Sequence, residues 1–274
     1  MVSPRRSPDG PPGTALSEAI GLAWASRRAG TPHAVRTLIS AAELAASTPG
    51  DLATYAVLER LDLLQIVVHA ATPSPRAEER FDDLRGRGWH VGTVGAHDAS
   101  GLAAALRTRA TGRPSLIYCV ETRRPGGDLV RAAPQALAPP PSWASRREIV
   151  EVAPEGTAGE VGAFALGVAS HGAYLPSCAI PLAEAFALTP ALRRAARLGL
   201  PLRFRLLANG DEPADALPAL QLIAGLDVRR AGEPAPEHAG PRVIVTAGRR
   251  APRIDPSRGW RASGGGRTLV SSGG

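Results

Sequence analysis

The sequence predicts an α/β protein built from two domains, each a mainly parallel sheet with helices on both faces. Three observations predict it. Continuous apolar runs at 63–68 and 115–120 have the length and uniformity of strands buried on both sides. Segments with helical periodicity alternate with such runs, which is the pattern of βαβ units. A Pro/Ala/Gly-rich stretch, 123–147, divides the alternation into two blocks.

In the first block, 15–28 reads as a helix with Leu16, Ile20 and Ala23 on one face and Trp24 beside them. Residues 35–39 form a strand, 52–61 a helix and 63–68 a strand. A helix at 77–87 is closed by Gly88, and a strand follows at 89–94. Asp98 is placed to N-cap a helix at 99–109, and 115–120 is the last strand. The second block has strands at 148–152, 174–180, 202–207 and 242–246. Its helices are an Ala/Gly-rich one at 158–170, a long one at 183–198 and a third at 217–223. The expected organisation is a flexible lead at 1–9, a first domain at 10–122, a linker at 123–147, a second domain at 148–256 and a disordered tail at 257–274.

Of the 274 residues 44% are hydrophobic but only 4% aromatic, so the core is one of Ala, Leu and Val. The net charge is +7, and all 32 basic residues are Arg. A basic surface can mean a nucleic-acid partner. Here the arginines are scattered, with no aromatic residues interleaved for base stacking, and a GC-rich coding bias accounts for them; nucleic acid is not expected. Cys119 and Cys178 stand in apolar runs and read as buried free thiols of a reducing compartment. No signal peptide or membrane-length apolar run is visible. The expected location is the cytoplasm.

The segment 61–122 carries a family resemblance. Leu61-Asp62-Leu63-Leu64-Gln65-Ile66-Val67-Val68 is similar to the transketolase run of the type LDNLIVIVD. Arg80-Phe81 leads into Gly88-Trp89-His90-Val91, Gly95-Ala96-His97-Asp98 is similar to DGHD, and Arg113-Pro114-Ser115-Leu116-Ile117 resembles RPTLI. Order and spacing agree throughout. Upstream, Gly10 to Leu16 resembles a worn GPLGQGL, a loop that in the family approaches the cofactor. Downstream, Val150-Glu151-Val152, Gly167-Val168-Ala169-Ser170-His171-Gly172 and 240–252 resemble parts of the family's pyrimidine-binding domain. The resemblance covers about 10–254. It leaves without counterpart the family's first hundred or so residues and its third domain, and shortens 209–226.

The resemblance implies thiamine diphosphate, whose phosphates need a divalent cation with hard oxygen ligands. The family supplies these from a GDG at a strand end and an Asn some thirty residues on, with a Glu five residues after the Asp. Carried over without gaps, the Asp falls on Ala41, the Glu on Ala46 and the Asn on Ala71. A methyl group ligates no metal, so no cofactor is expected; Glu43 or Asp51 would have to restore the site. The family's catalytic Glu falls on Gly156 or on Ala158, depending on the side counted from. Glu155 and Glu160 bracket that gap and are the weak candidates, with polar helix-start residues as the plainer account. His97 and Asp98 could form a proton-transfer pair but read more simply as a turn histidine and a helix cap. His33 and His69 border strand ends at the cleft, and His171 closes a helix beside Gly172.

The resemblance therefore implies a transketolase-like protein without its Mg²⁺/thiamine diphosphate ligands. Such a protein is a non-catalytic subunit that pairs with itself or with an intact transketolase-like chain. The alternative is a divergent, thiamine diphosphate- and Mg²⁺-dependent ketol transferase whose missing ligands come from a partner chain.

Overall fold

The computed structural model describes residues 13–30, 33–47, 50–108, 110–120, 148–152, 156–208, 220–230, 241–247, 260–263 and 268–271. The chain divides into two compact units, Met1–Pro141 and Ser142–Gly274. The lead, Gly10, the linker, Glu155 and residues 209–219 of the shortened stretch lie outside the described residues.

The first unit runs α1 (Thr14–Arg28), β1 (Val35–Ser40), α2 (Ala41–Ala46), α3 (Gly50–Leu58), β2 (Leu64–Ala70), α4 (Pro75–Gly86), β3 (His90–Gly95), α5 (Ala99–Arg107) and β4 (Ser115–Val120). Its strands lie in the order β1-β2-β4-β3, every pair parallel. Period-2 alternation sends Val35, Thr37 and Ile39 to one face together with Ile66, Val68, Leu116 and Tyr118, all buried. On that face the Phe81 ring of α4 meets the Tyr118 ring at 4.3 Å between centroids. The opposite face holds α5. Arg36 donates from Nε to Gln65 Oε1 (2.8 Å) and from Nη2 to the Leu106 carbonyl (3.1 Å), and Gln65 Nε2 donates to the Thr108 carbonyl (3.4 Å). The buried Trp89 indole N–H donates to the Ala53 carbonyl at 2.9 Å, tying α3 to the entry of β3.

The second unit runs β5 (Glu148–Glu151), α6 (Ala158–His171), β6 (Tyr174–Pro181), a 3₁₀ segment (Leu182–Leu188), α7 (Thr189–Leu198), β7 (Arg203–Ala208), β8 (Asp227–Arg230) and β9 (Arg242–Ala247). The order is β5-β6-β7-β9-β8, again all parallel. Val150, Cys178, Ile180, Phe204, Leu206 and Val243 form the buried face. Helix α6 packs on β6, the 3₁₀ segment and α7. Gly162 permits that approach, since a Cβ there would lie 3.1 Å from Leu188 Cδ2 and 3.2 Å from Ala191 Cβ.

Several boundaries differ from the sequence reading, each for a local reason. The helix expected at 52–61 starts at Gly50 and stops at Leu58, because Arg60 turns the chain through a left-handed φ of 52°. The single helix expected at 183–198 is two pieces: Pro190, in the first turn of α7, has no N–H to continue the preceding turns. Helix α2 and strand β8 were not expected at all. Of the helix expected at 217–223, residues 217–219 lie outside the described residues; Leu220 and Ile223 are buried. The tail, expected to be disordered, contains two short strands, β10 (Trp260–Ser263) and β11 (Thr268–Ser271), paired antiparallel; Trp260, Thr268 and Val270 are residue types that favour strands. Among the described residues no helix is long and apolar enough to cross a membrane.

Candidate functional site

In an open parallel sheet the loops at the carboxyl ends of the strands form the usual ligand site. In the first unit this edge gathers the positions marked by the sequence. Ser40 ends β1 in register with His69 of β2. Ala41 therefore leaves one strand where Ala71 leaves its neighbour, two residues beyond His69. Ala41 is buried and Ala71 exposed.

Helix α2 begins at once. The Ser40 hydroxyl accepts from the Glu43 N–H at 3.1 Å, capping the first turn. Six residues of helix span about 9 Å, which bounds the distance of Ala46 from Ala41. Ala46 meets Gly13, the last glycine of the loop before α1. Gly13 has φ 93°, and a Cβ on it would lie 2.7 Å from Ser47 Cα and 3.0 Å from the Ala46 carbonyl oxygen. Only glycine fits that approach. The fold thus starts Ala41 and Ala71 from one edge and sets Gly13 against Ala46 at the end of the helix that begins there. Glu43 lies in the first turn of α2 and is half-buried, while Asp51 is exposed at the start of α3. Among the described residues no three His, Cys, Asp or Glu side chains gather as a metal-binding group.

The remaining candidates separate. Glu160 sits at the start of α6 in a reciprocal cap with Thr157. Its carboxylate accepts from the Thr157 N–H (2.9 Å) and hydroxyl (3.0 Å), while the Glu160 N–H donates back to Thr157 Oγ1 (3.4 Å). Gly156 precedes this cap with φ 149°, and Ala158 is the buried first residue of the helix.

Asp98 caps α5, as expected: its carboxylate accepts from the Gly101 N–H (2.7 Å) and the Ser100 hydroxyl (2.8 Å). These bonds hold its pKa below the ordinary carboxylate value. That carboxylate serves the helix end, and the His97 beside it is exposed. His171 ends α6 against the left-handed Gly172 and lies 6.2 Å from the Tyr174 ring, nearly parallel to it.

His33 corrects an expectation. It precedes β1 at the amino edge of the sheet, opposite the cleft. Its N–H donates to Ser26 Oγ at 2.8 Å in a shallow depression lined also by Arg27 and Asp62. His69 alone of the two belongs to the carboxyl edge. There, register sets it beside Cys119 of β4. Both cysteines are free and buried. Burial raises the pKa of Cys119, and it pushes that of Cys178 up to about 12.

No family model and no curated protein sequence matches the chain. Solved structures do. The chain is similar to the transketolase of Campylobacter jejuni subsp. jejuni NCTC 11168 with a TM-score of 0.63 and 13% identity, covering 86% of this chain and 61% of that one. It is similar to the transketolase of Leishmania mexicana (TM-score 0.61, 13% identity, 86% and 60% covered) and to a mutant transketolase of Pichia stipitis (0.61, 12%, 86% and 61%). The chain therefore spans about three fifths of the length of these transketolases. Its two mainly parallel sheets with their helices form a transketolase-like fold.

Proposed function

We propose that the chain is a transketolase-like protein without thiamine catalysis of its own, a subunit that acts by pairing. The observation that supports this is the placement of Ala41 and Ala71 at one edge of the first sheet, with Ala46 at the end of the helix that begins there. Magnesium demands near-octahedral oxygen ligation at about 2.0–2.1 Å. The side chains at the three carried-over positions are methyl groups, and the Ser40 hydroxyl beside them accepts from the Glu43 N–H. This donor set does not fit a magnesium diphosphate. The pairing partner is a second copy or a transketolase-like chain with intact ligands, and the working compartment is the cytoplasm.

A second reading keeps activity: a ketol transferase completed by a partner's ligands. The half-buried Glu43 on α2 is what favours it, being the carboxylate on the helix that joins the alanine positions. Calorimetry with thiamine diphosphate and Mg²⁺ separates the two. No heat of binding is expected; micromolar binding, by the chain alone or with its partner chain, would favour the second reading. Sedimentation of the chain, alone and mixed with an intact transketolase, tests pairing. A monomer under both conditions would remove the proposed role.

A further inference from the structure

We infer that the hairpin β10–β11 is a displaceable cover for the free edge of β5, shielding the second sheet from strand addition by another chain. This goes beyond the proposed pairing role and does not depend on it. β5 ends the order β5-β6-β7-β9-β8, so β6 occupies only one of its two sides. Just beyond β5, the Val152 N–H donates to the Ser177 carbonyl of β6 at 2.9 Å. Backbone groups of successive strand residues point to alternate sides. Those of Val150 therefore face β6 too, and those of Ile149 and Glu151 open on the other side. An edge of unpaired N–H and C=O groups is a template for a strand from another molecule.

The two ends of this sheet are protected differently. At the far end β8 reads Asp227-Val228-Arg229-Arg230, and charged side chains blunt an edge. On β5, Ile149 is 49% exposed and Val150 is buried. The Glu151 carboxylate, which could repel an incoming strand, accepts from Arg205 Nη2 at 2.8 Å within its own sheet. At this end the hairpin stands instead. Apart from its partner β10, strand β11 packs chiefly against β5. The hairpin is nevertheless a separate two-stranded sheet, pairing Trp260 with Ser271 through to Ser263 with Thr268. Among the described residues no ladder joins it to β5.

Proximity without a ladder makes the cover removable. A lone two-stranded hairpin is marginally stable in water, so β10–β11 depends on the surface it rests on. It gives the outward backbone groups of Ile149 and Glu151 no ladder hydrogen bonds. An incoming strand would gain those bonds, while the hairpin has none of them to lose. The cover therefore keeps chance strands off the edge and yields to one that pairs well.

The test compares the full chain with a chain ending at Asp255, by sedimentation velocity over a range of concentrations. The truncated chain should reach about twice the apparent mass of the full chain or more as concentration rises. Ile149→Lys in the truncated chain should abolish that gain. Because the readout is the change on truncation, it is separate from any pairing of the full chain. By hydrogen exchange and mass spectrometry, the β5 amides of the truncated chain at low concentration should exchange about tenfold faster than in the full chain. A third measurement needs no truncated chain to fold. In a full chain carrying Ile149→Cys and Leu269→Cys, a short bismaleimide should join the two positions within one molecule, with the buried Cys119 and Cys178 unreacted. Unchanged mass and exchange in a folded truncated chain, association that survives Ile149→Lys, or no crosslink within one chain would each overturn the inference.

Discussion

Replacing Ala41 with Asp returns to the first sheet the side chain that the transketolase resemblance expects there. Ala41 is 7% exposed and begins α2. A carboxylate placed there loses most of its hydration. The cost has a ceiling, because the group can take up a proton instead: from an ordinary pKa near 3.9, protonation at pH 7 costs about 4 kcal/mol. The helix start returns about 0.3–1 kcal/mol through its dipole and free N–H groups. The net expectation is a loss of about 1–3 kcal/mol, read as a lower urea midpoint at an unchanged slope. The sign with pH follows. The carboxyl would be raised in the folded state, so the folded chain holds the proton more tightly than the unfolded one. The penalty is full above the folded pKa and disappears as pH falls below about 4. Thiamine diphosphate and Mg²⁺ should leave the midpoint of Ala41→Asp where it was, since Ala46 and Ala71 still offer no donor. A cofactor-dependent rise in that midpoint would refute the reasoning, because it would mean that one oxygen ligand sufficed to complete the site.

Other consequences can be measured directly. Gly13→Ala should lose about 2–4 kcal/mol, from a left-handed φ and the overlap with Ser47; a urea midpoint within error of wild type would show that the loop does not pack on α2. Thr157→Ala removes half of the reciprocal cap of α6 and should cost about 1 kcal/mol by thermal or urea unfolding, with Glu160→Gln milder. Burial raises the pKa of Asp227, but hydrogen bonds from Arg229 and Arg242 outweigh it and hold the net value below normal. Its contribution to stability is therefore present above the unfolded value near 3.9 and is lost as pH falls through the folded one. Asp227→Asn should flatten the acid limb of stability against pH at that end, and an unchanged limb would deny the linkage. With both thiol pKa values raised by burial, neither Cys119 nor Cys178 should react with a disulfide reagent at pH 8 until the chain unfolds.

What the sequence made legible is what short-range physics decides. Strand β4 was readable to the residue because Ser115 to Val120 is buried almost throughout and bounded by Gly112 and Pro114. The Asp98 cap and the Gly172 stop were readable because each is a single residue acting on its own helix end. Helix α2 escaped because six Ala-rich residues are too few to show a period. Its one signal was the Ser40-x-x-Glu43 spacing, which the structure realises as a cap. Strand β8 escaped because Asp227, Arg229 and Arg230 make it look like a loop, and only pairing with β9 shows that two of them share a face with Arg242.

The charge distribution carries the same lesson further. Along the chain the arginines are scattered, and scattering argued for coding bias rather than for a ligand. Register gathers four of them. Arg203, Arg205, Arg229 and Arg242 come from three strands that are distant in sequence, yet they share one sheet face with Glu151 and Asp227. Coding bias can explain why these residues are arginine and not lysine. It does not set their spacing across the sheet. Burial first, then Arg242 and Arg205, depress the pKa of Arg203. Replacing Arg203 with an uncharged side chain of similar length therefore tests whether the folded chain bears that repulsion. Arg203→Gln should raise the melting temperature at low salt, and the gain should shrink as added salt screens the neighbouring charges. A fall at low salt would show instead that a carboxylate outside the described residues holds Arg203.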